Sequence, residues 1–386
     1  MTVNYKEKTE LARNLMDDFA VRTGLSNADG DARRRYLWTD AFAVQSFFGL
    51  GHITHSDAYR EWAMRLIHEV HHQLGKHRHD DPRQGWISGL SDEEGRKSPT
   101  IGGLRIGKDL PERGKGETYN DKVEWERDGQ YFHYITRWIN TLLHAAIETS
   151  EHQYAKWAAD LTKAGEKFID NSDNRTRMYW KMSIDLSHPI VESMGAHDPL
   201  EGLICVLSMI DSMPERHAEL INFRNNLESL CDILDWFTTD ALGIGGLLLN
   251  TVRVAELNMK KVKLHDSIIP RKLWKDCMDS LHSFTGHVHA PNAPAEVRLA
   301  FRECGLSLGI RTMAGLKYRY QKLHVDFDEI DKFLPLAEAI EDFWCEPANR
   351  EVKTWTRHRD INEVMFASSL IAEKYPFPFA AVPFKG

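Results

Sequence analysis

Apolar residues recur at spacings of three and four along nearly the whole chain, and almost no stretch alternates with the two-residue period of a strand. The pattern predicts helices over residues 5–23, 36–50, 56–75, 129–148, 151–170, 198–211, 215–236, 240–256, 267–284, 295–314, 327–345 and 359–374. These helices are of two kinds. Ala41 to Leu50, Gly202 to Met209 and Leu242 to Val254 are apolar or small all round, whereas Asp57 to His72 and Arg216 to Asp232 carry a polar face. A helix apolar on every side is buried, and an amphipathic one lies outside it.

Because the two kinds alternate along the chain, the pattern predicts an all-α fold, an (α/α)6 barrel with inner and outer helices in turn, formed as one domain over residues 1–386. Inner-to-outer links are short, as at Gly51 to His55, Thr149 to Ser150 and Ser212 to Pro214. The outer-to-inner links are long, at Leu25 to Arg35, Lys76 to Asp128, Asp170 to His197, Thr285 to Pro294 and Glu346 to Arg359. In a barrel these long links open at one end, and long loops in a packed domain are usually functional. A tandem solenoid is the rival fold, but no signature recurs at a fixed period.

Composition narrows the function. Hydrophobic residues make up 42% and charged residues 27% of 386, enough to bury a large core. The net charge of -8 argues against a nucleic-acid partner, which needs a basic face. Met1 to Arg13 lacks the apolar run of a signal peptide, no stretch of membrane-spanning length is apolar, and the five cysteines form no CxxC pair. A cytoplasmic protein acting on a small molecule is expected, as a monomer or homo-oligomer.

The residues at the starts of the inner helices carry chemistry that plain loops do not need. They include Tyr36, Trp38 and Asp40; Trp125, Asp128, Tyr131, His133 and Tyr134; His188, Glu192, His197 and Asp198; Asp240; and Arg357, His358 and Glu363. Each has a plain reading. Asp198 and Asp240 suit helix caps, Tyr131 and Tyr134 suit a core, and His133 suits a hydrogen-bonded interior position. Thr39 is the better cap at the first inner helix, which frees Asp40 to project inward. The plain readings do not account for the recurrence at every junction. Aromatic faces stack on sugar rings, and carboxylates and arginines hydrogen-bond hydroxyls, so the set suits a saccharide. Paired carboxylates supply general acid and base. Asp40 is the candidate acid and Asp128, beside Arg127, the candidate base, with His133 and His358 as proton carriers. The remaining residues are candidate substrate contacts.

The whole-chain pattern resembles the six-hairpin glycosidase and N-acylglucosamine 2-epimerase-like superfamily. Arg35-Tyr36-Leu37-Trp38 resembles the aromatic start of the epimerases' first inner helix, although Asp40-Ala41 stands where those proteins carry Gly-Arg. His358 matches the place of a catalytic histidine in the epimerases, whose partner on the fourth inner helix is missing because residues 240–256 contain no histidine. Asp40 with Asp128 mimics the two aspartates of unsaturated glucuronyl hydrolases. The resemblance implies a hydrolase or hydratase acting on a small, acidic saccharide. A histidine-driven 2-epimerase or aldose–ketose isomerase is the alternative, followed by a lyase or dehydratase on another substrate or a non-catalytic binding protein.

His68-Glu69-Val70-His71-His72 fits HExxH, a zinc-protease pattern. It falls on an outer helix, and Arg78 stands at the third-ligand position, so a solvated helix end is expected, with no metal and no cofactor. Gly85 to Gly116 contains no Walker pattern and reads as a lid or mouth loop.

Overall fold

The computed structural model describes residues 5–26, 34–114, 116–172, 175–288 and 292–373. Arg33 and Lys115, which belong to the junction and the glycine-rich segment above, lie outside the described residues. The chain is mostly helical, and the twelve predicted helices are present, most of them within a few residues of the expected span, although the one expected over 327–345 is α-helical only over Leu334–Cys345; three short helices at Asp92–Lys97, Asp121–Glu124 and Lys353–Thr356 accompany them. Among the described residues no helix is long and apolar enough to cross a membrane.

The Cα positions group into two compact units. Of the described residues, one draws on those within 5–26, 45–63 and 234–373, the other on those within 34–44 and 64–233.

In the first unit, the Ala241–Met259 and Ala300–Leu316 helices pack closely. The approach is made by glycines: a Cβ on Gly245 would run into the Gly305 carbonyl, and one on Gly309 would meet the Gly245 carbonyl. Each of these helices pairs with its successor in the chain, Pro270–Ser283 and Leu334–Cys345 respectively. The Arg359–Leu370 helix lies against Ala300–Leu316 and against the first helix, Tyr5–Arg22. Buried Glu341 ties this unit together, accepting from Lys8 Nζ at 2.8 Å, Ser307 Oγ at 2.6 Å and Arg311 Nε at 3.0 Å.

In the second unit, Phe132–Thr149 forms a hairpin with His152–Gly165, and Asp198–Ser212 forms one with His217–Cys231. Phe132 packs on Phe168 and Phe223 at ring distances of 5.3 and 6.4 Å. The long segments between helices are not structureless, which corrects the expectation of open mouth loops. Gln130–Tyr131, Lys181–Met182 and Pro189–Val191 form a three-stranded antiparallel sheet in the order first, second, third. Ile169–Asp170 pairs with Arg177–Met178.

The glycine-rich stretch is anchored in the core near its middle. Leu104 and Ile106 are fully buried, and Ile106 bridges two elements, its N–H donating to Gly129 and its carbonyl accepting from Leu37. Gln130 pins the stretch from below: its Oε1 accepts from the Leu104 N–H at 2.8 Å, and its Nε2 donates to the Gly102 and Ile184 carbonyls.

Candidate functional site

The site is built in the second unit, where the short sheet meets the starts of the Phe132–Thr149 and Asp198–Ser212 helices. Tyr131 ends a strand and His133 lies in the first turn of the helix that follows, so the chain brings these rings together at one place. His133 stacks on Trp180 with planes 9° apart and on Tyr131 at 5.3 Å, and meets the edge of Tyr134 at 4.7 Å. Trp125 packs edge-on to Trp180 at 4.9 Å and stays half-exposed. Tyr36 joins from the start of the Leu37–Thr54 helix, its hydroxyl 2.6 Å from that of Tyr134. Burial pushes Tyr36 up to about 12 and raises Tyr131 and Tyr134 as well, so all three hydroxyls stay protonated near neutral pH.

Asp198 faces this floor. Its Oδ1 lies 4.0 Å from His133 Nδ1, a buried nitrogen with no hydrogen-bond partner among the described residues. The other oxygen, Oδ2, accepts from the Gly195 N–H at 3.2 Å, and a side chain at Gly195 would collide with the carboxyl group. Burial and the charge of Glu201 push Asp198 up to about 8 against the pull of that N–H, and burial pushes His133 down to about 4. Both shifts favour a protonated carboxyl beside a neutral imidazole. Glu201, one turn further along, is held by the Thr136 hydroxyl at 2.7 Å and by Arg137 at 3.2 Å.

Two of the expected catalytic residues serve the fold instead. Asp40 does not stand free in a mouth: its Oδ2 reaches back over the first helical turn to accept from the Tyr36 N–H at 3.0 Å, and Oδ1 lies 3.9 Å from Arg35. Asp128 is fully buried and saturated. It accepts from Arg105, from Arg78 at 3.3 Å, and from the N–H groups of Gly107 at 2.9 Å and Gly129 at 3.1 Å. Arg127, expected beside it, turns away to Glu117. A carboxylate with every acceptor position taken has no lone pair left for a substrate proton.

The other predicted residues divide. Trp38 is core, 4.5 Å from Phe42. His188 and Glu192 are exposed, His188 against Ser187, and His197 sits half-buried just before Asp198. The remaining four belong to the first unit. Asp240 caps its helix by accepting from the Gly243 N–H at 2.8 Å and pairs with Arg302. Arg357 and His358 are exposed, and buried Glu363 pairs with Arg22 and Arg359. Sequence reasoning missed Trp180, Glu201 and Thr136. Glu201 was findable, because it lies three residues after Asp198 and so on the same helix face.

The HExxH run is only partly a solvated end. His68 and His72 are exposed, but His71 is buried, its Nε2 accepting from the Trp138 indole N–H at 3.0 Å, and burial pushes it down to about 3. Glu69 pairs with Arg65 at 3.0 Å. Among the described residues no group of three or more His, Cys, Asp or Glu is placed to hold a metal ion. Compared with known proteins, the chain matches no family model and no curated protein.

Proposed function

We propose that this chain is a saccharide-processing enzyme, a hydrolase or hydratase that works by general acid and base catalysis with Asp198 as proton donor and His133 as its basic partner. The observation that carries this reading is the 4.0 Å gap between Asp198 Oδ1 and the unpartnered His133 Nδ1 at the edge of the aromatic floor. A bridging oxygen set off the line between them, admitted by a shift of the side chains around them, lies within hydrogen-bond reach of both atoms. In hydrolysis, Asp198 gives its proton to the departing oxygen. Water adds to the sugar carbon and releases a proton to His133, which returns it to Asp198 through solvent. The rings of Trp125 and Trp180, the accessible part of the floor, supply the apolar surface on which sugar C–H faces stack. The alternation of hairpins within each unit supports an (α/α)6 barrel as the architecture around the site.

The same pair would serve an isomerase, with His133 taking a proton from a carbon next to a carbonyl. Its neutral state near pH 7 favours this as the second reading. A screen of aryl glycosides, unsaturated uronides and reducing sugars, run in D2O and followed by NMR, separates the two. Bond cleavage or hydration lost at least about a hundredfold in Asp198→Asn is expected. Deuterium entering a sugar carbon without cleavage decides for the isomerase. Turnover unchanged in both Asp198→Asn and His133→Asn rejects the acid–base pair.

A further inference from the structure

The HExxH run, which the acid–base site leaves unused, borders a cleft of about 410 Å³ in the second unit. His68, Glu69, His71 and His72 form one side of it, and Trp86 and Trp157 line it from other segments. None of the residues lining it belongs to the aromatic floor around His133. Both tryptophans are fixed. Trp86 donates its indole N–H to Asp92 at 3.2 Å, and a Cβ on Gly95 would collide with its ring. Trp157 donates to the Lys97 carbonyl at 2.8 Å. With their N–H groups spent, these rings offer a ligand apolar surface alone. The charges at the rim are matched, since Arg65 pairs with Glu69 at 3.0 Å and Arg96 with Asp92 at 2.8 Å.

One polar group in this wall is unsatisfied. The Trp138 indole donates to His71 Nε2 at 3.0 Å, and an indole nitrogen can only donate. Nε2 therefore presents a lone pair, and the ring proton sits on Nδ1. That Nδ1–H is buried from solvent and has no acceptor among the described residues. The rings of Trp138 and Trp157, 5.8 and 4.9 Å away, present at most a π-face, a weak substitute for a lone pair. A buried donor is costly to leave unpaired. The same tautomer turns His71 away from metal binding, because neither ring nitrogen has a lone pair to give.

We propose that this cleft is a second binding site, taking an uncharged, planar aromatic molecule with a hydrogen-bond acceptor on its edge. The flat body lies against Trp86 and Trp157, and the acceptor receives the His71 Nδ1–H. Because Nδ1 is closed to solvent, the side chains around it shift to admit that acceptor. A saccharide fits poorly here, since its many hydroxyls need more partners than one donor supplies. The site thus stands apart from the saccharide reading above.

The test is calorimetric titration of the full chain, near neutral pH, with quinoline, indole and cyclohexanol. Quinoline is flat and carries a ring-nitrogen acceptor. Indole is flat but offers only an N–H, and cyclohexanol has an acceptor but no flat face. Quinoline is expected to bind at least about fivefold more tightly than either, the scale of one neutral hydrogen bond. Trp86→Ala should weaken quinoline by about tenfold, whereas Trp125→Ala, on the aromatic floor, should leave it unchanged. A melting curve shows whether Trp86→Ala is folded, and the wild type gives a reading that needs no variant. In its NMR spectrum quinoline should shift the His71 Nδ1–H proton downfield, as a new hydrogen bond does. Equal binding of quinoline and indole, or an unmoved His71 resonance, overturns the acceptor contact. Binding lost in Trp125→Ala but kept in Trp86→Ala places quinoline on the floor and overturns the site, as does saturable binding of none of the three. None of these outcomes bears on the acid–base pair.

Discussion

Asp198 and Asp128 are both buried aspartates near one helix start, yet their surroundings give them opposite work. Asp198 has one N–H and an acidic neighbour, and burial pushes it up to about 8 from its ordinary 3.8. A carboxyl raised in the folded state holds its proton there after the unfolded chain has lost it. Its contribution to stability is therefore complete below about pH 4 and declines as pH climbs towards 8. Asp198→Asn should abolish that decline, so its Tm at pH 8 is expected to equal or exceed that of the wild type even as activity collapses. For the wild type, kcat/KM should be bell-shaped, falling below about pH 4 as His133 gains a proton and above about pH 8 as Asp198 loses one. A profile flat from pH 5 to beyond pH 9 would sink the assignment of Asp198 as the acid. Asp128→Asn is the converse case. It leaves Arg78 and Arg105 facing a neutral amide, and a stability loss of about 3 kcal/mol is expected in denaturant melts. The residue types at this site were legible in the sequence, but their division of labour was not. Whether an aspartate is saturated by arginines from 50 or 23 residues away is decided by the fold alone.

At the scale of elements, the twelve long helices were legible because each repeats its apolar face over several turns. The strands were not, since two or three residues are too few to display a two-residue period. The 3-10 turns over Phe327–Phe333 were absorbed into the predicted helix after them, because their apolar spacing reads almost the same. Glycines inside helices were equally ambiguous. Gly245 and Gly246 are adjacent in one helix, yet a Cβ on Gly245 meets the Gly305 backbone and one on Gly246 meets nothing. Gly245→Ala should therefore cost about 1–3 kcal/mol through overpacking. Gly246→Ala should gain up to about 1 kcal/mol by restricting the unfolded chain. Thermal melts of the two variants check this, and equal shifts would contradict the close helix contact.

At the scale of the molecule, one carboxylate joins parts of the chain that lie far apart in sequence. Glu341 binds Lys8 across 333 positions and also holds Ser307 and Arg311, so the first helix is fastened to the later ones within its unit. Glu341→Gln removes the charge that Lys8 and Arg311 share. It is expected to cost about 3 kcal/mol and to speed amide hydrogen exchange across Tyr5–Arg22. Unchanged exchange there would show that apolar packing alone holds the helix. The sequence by itself determined the helical class, the number and rough span of the long helices, and which stretches were rich in aromatic and acid–base side chains. All of these follow from local periodicity and composition, which act over a few turns. Only the tertiary structure decided that Asp40 and Asp128 serve the backbone, that His71 turns inward, and that Asp198 meets His133 over a floor completed by Trp180. Those outcomes depend on burial and on partners supplied by distant segments, and nothing in the spacing of neighbouring residues encodes either.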